Sequence, residues 1–163
     1  YQLTYLSMRK LGEVALIDDV ERFVDEKGLG PDVLDSNFDL AAFKEAVAGR
    51  RAMVNSVLMD QGTMAGIGNV YSDEILFHAG IHPRTKINHL EEDTLEELFY
   101  TMKDVLRKAI EYQAQPERFP ESFMTPHRHR GGVCPMCGTE LERVQVGSRH
   151  AYYCPNRQQK KGY

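Results

Sequence analysis

No stretch of the 163-residue chain reaches the ~18 consecutive apolar residues of a membrane span. The opening Tyr1-Gln2-Leu3-Thr4-Tyr5 also lacks the basic-then-apolar layout of a secretory leader. No membrane association is expected, and a soluble cytoplasmic protein is. Overall positive charge is missing too, the formal net charge being −4. The three cysteines are an odd number, so any disulfide would leave a thiol over. No internal repeat and no low-complexity tract is present. The first residue is Tyr1 and not Met, which raises the expectation of a trimmed or fragmentary chain.

What is present suits one core and a small satellite module, with 42% hydrophobic residues. The negative charge is unevenly placed. From Thr125 to Tyr163 there are seven Lys/Arg against two acids, a balance of +5, which leaves the rest at −9. Such asymmetry fits a tail that meets phosphate, and it fits a solvated basic tail equally well.

Residues 1–17 alternate apolar with polar side chains, as two short strands around a Ser7-Met8-Arg9-Lys10 turn would. Two strands make no domain, so they read as the end of a sheet lying upstream. Helical spacing then takes over across 18–115. Asp18-Asp19 opens the first helix and Gly28-Leu29-Gly30-Pro31 stops it; a second begins at Asp39 and ends near Gly49. Met53, Val57 and Leu58 begin a third that runs into Gln61-Gly62. A fourth starts near Asn69, with Tyr71, Ile75, Leu76 and Ala79 on one face and His82-Pro83 closing it. The longest spans about 91–113, with a stripe of Leu95, Leu98, Phe99, Met102, Val105, Leu106 and Ile110. Residues 116–132, rich in Pro and Gly, read as a linker to a ribbon over 133–163. The expected fold is mainly α with a small C-terminal β-hairpin.

That ribbon is too short for a core of its own. Cys134-Pro135-Met136-Cys137 has the spacing of a zinc knuckle, and Cys154-Pro155-Asn156-Arg157 follows as a second. The fourth ligand position is Arg157, whose guanidinium offers no lone pair. Either another group completes the site (His127, His129, His150 or a water) or the site has decayed. Zn²⁺ on Cys134, Cys137 and Cys154 is favoured over three ordinary thiols, because a segment this small needs a staple. His150 is placed near the tip of a hairpin between Val144 and Tyr153.

Between the third and fourth helices, Gly66 and Gly68 allow another chain to come close, and Asn69 stands at a helix N-terminus. Outward N–H groups and the helix dipole suit a phosphate there. A Gly-X-Gly-Asn turn alone is also an ordinary capping turn.

The whole string Leu58 to Glu74 (LMDQGTMAGIGNVYSDE), with Ile81-His82-Pro83 after it, closely resembles the helix-two-turns-helix signature of the formamidopyrimidine-DNA glycosylase and endonuclease VIII family. The resemblance covers nearly the entire chain, including Ser148 to Pro155 as that family's zinc-finger hairpin and Gln158 near its end. The departure is Arg157, where the family has its fourth cysteine.

The resemblance implies that Asn69 and Arg149 grip the phosphates flanking a damaged nucleotide in double-stranded DNA while its base is swung out of the stack. It also implies that Arg9 faces the orphaned base and Leu11 wedges the stack, although a surface turn explains both as well. Relatives excise oxidised bases and cleave the abasic strand with an N-terminal proline, a glutamate and a lysine, none of which occurs here. The expectation is therefore the DNA-binding portion of a base-excision glycosylase/AP lyase, inactive alone, monomeric and associated with the nucleoid. A non-catalytic nucleic-acid-binding module is the alternative, and a structural domain that has lost DNA binding is a third.

Overall fold

The computed structural model describes Thr4 and residues 14–159. The expected strands over 1–17 and the loop bearing Arg9 and Leu11 fall outside the described residues, apart from Thr4 and 14–17, which adopt no strand. The described chain is mainly helical: α1 (Val20–Glu26), α2 (Leu40–Val47), α3 (Val54–Leu58), α4 (Asn69–His78) and α5 (Glu92–Glu111) precede a hairpin of β1 (Glu142–Val146) and β2 (Arg149–Tyr153). Short 3₁₀ turns lie at Ile87–His89, Pro116–Arg118 and Thr125–His127. No helix among the described residues is long and apolar enough to cross a membrane.

Two helices start where the sequence predicts, on aspartate caps. The Asp19 side chain accepts from Arg22 N and that of Asp39 from Ala42 N. Two other boundaries move. The third helix stops at Leu58 and does not run into Gln61-Gly62, because Asp60 folds the chain into a turn by accepting from Gly62 N and Thr63 Oγ1. The fourth ends at His78, well before His82-Pro83, since Gly80 takes φ +66°, a left-handed value that stops a helix at little steric cost.

The main core gathers Phe43 of α2, Val57 and Leu58 of α3, Ile75 and Leu76 of α4, and Leu98, Met102 and Val105 of α5. Each such side chain contributes about 1.5–3 kcal/mol by leaving water. The α5 stripe departs from expectation at one end: Ile110 is 64% exposed and Ala109 takes the inward place. Helical phase explains this, since Leu98, Met102, Val105 and Ala109 follow i, i+4, i+7 and i+11, and Ile110 stands about 100° further round. α1 has no buried residue.

Residues 116–132, expected as a linker, are packed down. Phe119, Phe123 and Met124 are buried, and Phe119 lies 5.1 Å from Phe123, ring centre to ring centre. The hairpin pairs antiparallel, Glu142 opposite Tyr153 through Val146 opposite Arg149, with Gly147-Ser148 at the tip.

Candidate nucleic-acid interface and thiol cluster

The turn between α3 and α4 is fastened from inside. Met64 and Ile67 are its buried pegs. The Gln61 amide spans the turn, donating to Ile67 O at 2.9 Å and accepting from Gly66 N at 3.1 Å. Arg50 donates to Asp60 at 2.9 Å. The Thr63 hydroxyl, and with it the Gly62 amide and Arg50, holds the Asp60 carboxyl below its ordinary value. Gly66 has φ +106°, which a side chain rarely adopts. Gly68 differs: its φ is an ordinary −104° and a Cβ there would meet nothing within 4 Å. The fold itself does not demand glycine at 68. Gly68 caps α4 without any side-chain hydrogen bond, so the first amides of that helix have no side-chain acceptor at the cap.

The hairpin seats itself against α4. The Asn69 amide donates to His150 O at 3.1 Å, and its own Oδ1, shielded from water, has no partner. Arg149, beside His150, is exposed and reaches Met59 Sδ at 3.9 Å, just past α3. Arg84 donates twice to Gln145 O, at 3.0 and 2.9 Å. His82 meets the Tyr153 ring edge-on at 4.5 Å. Thus Asn69, Gly68 and Arg149, distant in sequence, belong to one region where the α3–α4 turn meets the hairpin tip.

Two buried carboxylates that pattern reading did not single out make the joint. Asp73, with no exposure, accepts from Arg128 Nε at 2.8 Å, Tyr152 N at 2.9 Å and Asn55 Nδ2 at 3.3 Å. Burial pushes its carboxyl up to about 6, against the pull of the Tyr152 amide and Arg128. Glu74, equally buried, accepts from Met124 N at 2.9 Å and from Thr125 N and Oγ1 at 2.6 and 2.5 Å; His78 Nε2 lies 2.9 Å away. The available signal was a pair of adjacent acids inside a largely apolar helix. They are buried because α4 is covered on both sides, Ile75 and Leu76 lying in the main core and Phe77 in the small one.

The second side of α4 supplies what the ribbon lacks. Phe77 joins Met124, Cys134, Leu141 and Cys154 in a separate small core. Gln158, fully buried, ties the chain end to the helical part: its Oε1 accepts from Cys154 N at 2.8 Å and its Nε2 donates to Ile81 O at 2.9 Å.

The Sγ atoms of Cys134, Cys137 and Cys154 all lie within 4.8 Å of one another, Cys137 and Cys154 being 3.5 Å apart. Zinc–sulfur bonds of about 2.3 Å in a tetrahedron set sulfurs about 3.8 Å apart, so three corners fit a zinc ion. Among the described residues no histidine or carboxylate joins the group. The three histidines considered as a fourth ligand are thus not brought there. The Arg157 guanidinium is centred 5.6 Å from the Phe77 ring. All three cysteines are free thiols. The Thr139 hydroxyl and amide and the Asn156 side chain pull the Cys137 thiol down to about 6, whereas burial pushes Cys154 up to about 11.

Fold and site together define a helix-two-turns-helix domain with a thiol-bearing hairpin docked on its last turn helix. The family described as the formamidopyrimidine-DNA glycosylase H2TH domain matches residues 29–120, and the zinc finger found in FPG and IleRS matches residues 131–156. The chain belongs to the formamidopyrimidine-DNA glycosylase/endonuclease VIII family. It is 33% identical to a formamidopyrimidine-DNA glycosylase of Thermomicrobium roseum, over 95% of this chain and 57% of that protein. It is also 33% identical to one of Bacillus subtilis, over 98% of this chain and 62% of that protein. Lactococcus lactis Fpg, solved in complex with abasic-site-containing DNA, superposes with TM-score 0.75 at 30% identity, covering 88% of this chain and 56% of that one. The chain thus spans about three fifths of the length of these curated relatives.

Proposed function

We propose that this chain is the DNA-binding portion of a base-excision DNA glycosylase/AP lyase that acts on oxidised bases in double-stranded DNA. The observation that carries the reading is the meeting of Asn69 and the hairpin. Asn69 Nδ2 is engaged by His150 O, its Oδ1 is unpartnered, and the adjacent Arg149 is exposed. Asn69 and the α4 amides would take one phosphate and Arg149 another, holding the backbone on either side of an extruded nucleotide. Gly68, which has room for a side chain, would leave that approach open to the phosphate. Support comes from the Lactococcus lactis relative, solved with DNA containing an abasic site.

The proposed division of the chain is 18–115 as the DNA-binding domain, 116–132 as the connection, 133–163 as the finger and 1–17 as the end of a β domain. Arg9 and Leu11 are proposed to fill the space left by the extruded base. No catalytic residue is assigned in this chain, and alone it would bind DNA as a monomer without cleaving it, at the nucleoid. Cys134, Cys137 and Cys154 would hold a zinc ion, which when bound joins the two knuckles and so steadies the hairpin carrying Arg149.

The test is binding to a duplex carrying an abasic-site analogue and to the intact duplex, at two salt concentrations. Preference for the abasic duplex, with affinity falling as salt rises, is expected. Equal and salt-insensitive affinity would sink the reading.

A further inference from the structure

We propose that the metal site of this chain is three-sulfur and open, its fourth coordination position being taken by a ligand from solution that a small thiol or imidazole displaces. The inference rests on the zinc reading above and deepens it.

Three observations carry it. Cys134, Cys137 and Cys154 are gathered into one cluster, whereas no histidine or carboxylate among the described residues joins them. The side chain in the sequence position of a fourth ligand, Arg157, is committed elsewhere, over the face of Phe77. A guanidinium packed on an aromatic ring is a settled contact, and it has no lone pair to offer a cation. Finally, Cys134 and Cys154 are buried but Cys137 is exposed, so the cluster opens to solvent on the side of the first knuckle. A tetrahedral ion with three protein ligands and one open position is the arrangement of reactive zinc sites, in contrast to closed structural ones.

The fold tolerates such a site because the hairpin is held by other means. Gln158 ties Cys154 to Ile81, Asp73 holds Tyr152, and Phe77 fills the small core. An entering thiol would take the fourth position in place of the solution ligand, which leaves to solvent as the thiol gives up its proton there, and Cys134, Cys137 and Cys154 would keep their places. The nearest competing groups are those around Cys137, namely the Thr139 hydroxyl at 3.3 Å and the Asn156 side chain. Neither is a customary zinc ligand.

The experiment loads the chain with cobalt(II) alone and follows its absorption while 2-mercaptoethanol or imidazole is added. One cobalt per chain is expected, with bands that shift on addition of either ligand. Arg157→Cys should give bands that no longer respond, and should raise cobalt affinity by more than the roughly 10–100-fold that a second-shell partner is worth. Stoichiometric cobalt whose bands ignore both ligands would overturn the proposal, as would bands that move in Asn156→Ala, which would make Asn156 the fourth ligand. Failure of the native chain to take up cobalt at all would overturn the zinc reading itself and this inference with it.

Discussion

Arg128 donates its Nε to Oδ2 of Asp73 at 2.8 Å, and that same oxygen accepts the amide of Tyr152 at 2.9 Å. One carboxylate oxygen therefore joins α4, the segment before the finger and the second strand of the hairpin. The Arg128 guanidinium also lies 5.0 Å from the centre of the Tyr152 ring, so the three residues form a single packed unit.

Replacing Asn69 or Arg149 by Ala should weaken binding to the abasic duplex by about 1–3 kcal/mol each, the loss of a charge-assisted or amide contact to phosphate. Titration by fluorescence anisotropy at fixed salt checks this. Native affinity in both variants would remove the proposed grip on phosphate.

Asp73 makes stability depend on pH in a direction opposite to that of most carboxylates. Burial raises its folded pKa from the ordinary 3.8 to about 6, so the folded chain holds the proton more tightly than the unfolded one. Its stabilising effect is full below 3.8 and is lost as pH rises through about 6. At about 1.36 kcal/mol per pH unit the fall amounts to about 3 kcal/mol. Urea unfolding at several pH values between 4 and 7 should show this decline in the native chain and a flatter profile in Asp73→Asn. Parallel profiles would mean that Asp73 titrates normally.

Phe77→Ala should cost about 3–5 kcal/mol, because it empties the small core between α4 and the thiols. The accompanying expectation is faster proteolysis within the hairpin, read by limited digestion. Loss of stability without any change at the hairpin would place the effect in the helices alone.

Gly66→Ala forces a side chain into φ +106°, for which about 1–3 kcal/mol of strain is expected. Gly68→Ala, with φ −104° and free space at Cβ, should leave the thermal midpoint nearly unchanged while impeding DNA. The pair is checked by thermal unfolding alongside DNA titration. Equal destabilisation by both would contradict the different roles given to the two glycines.

Most helices were legible because their signals are local: an aspartate cap at Asp19 and Asp39, and the 3.6-residue stripe through Leu98, Met102 and Val105. The knuckle spacing of Cys134 and Cys137, together with Cys154, likewise pointed to the cluster that the fold assembles. What escaped depends on tertiary partners. Nothing near Asp73 and Glu74 in sequence shows that Arg128, Tyr152, Met124 and Thr125 arrive from some 50 to 80 residues away. The Pro- and Gly-rich stretch looked like a connection for the same reason: the amides of Met124 and Thr125 are satisfied by Glu74 on a distant helix.

The two matched families cover residues 29–120 and 131–156, yet much of what fills one comes from outside it. Cutting the chain at residue 121 would strand Glu74 without Met124 and Thr125, Asp73 without Arg128, and Phe77 without its apolar neighbours. Two carboxylates and an aromatic ring would then face water on a helix shaped to be enclosed. The helices and the finger thus share their buried contacts, and neither matched segment is enclosed without the other.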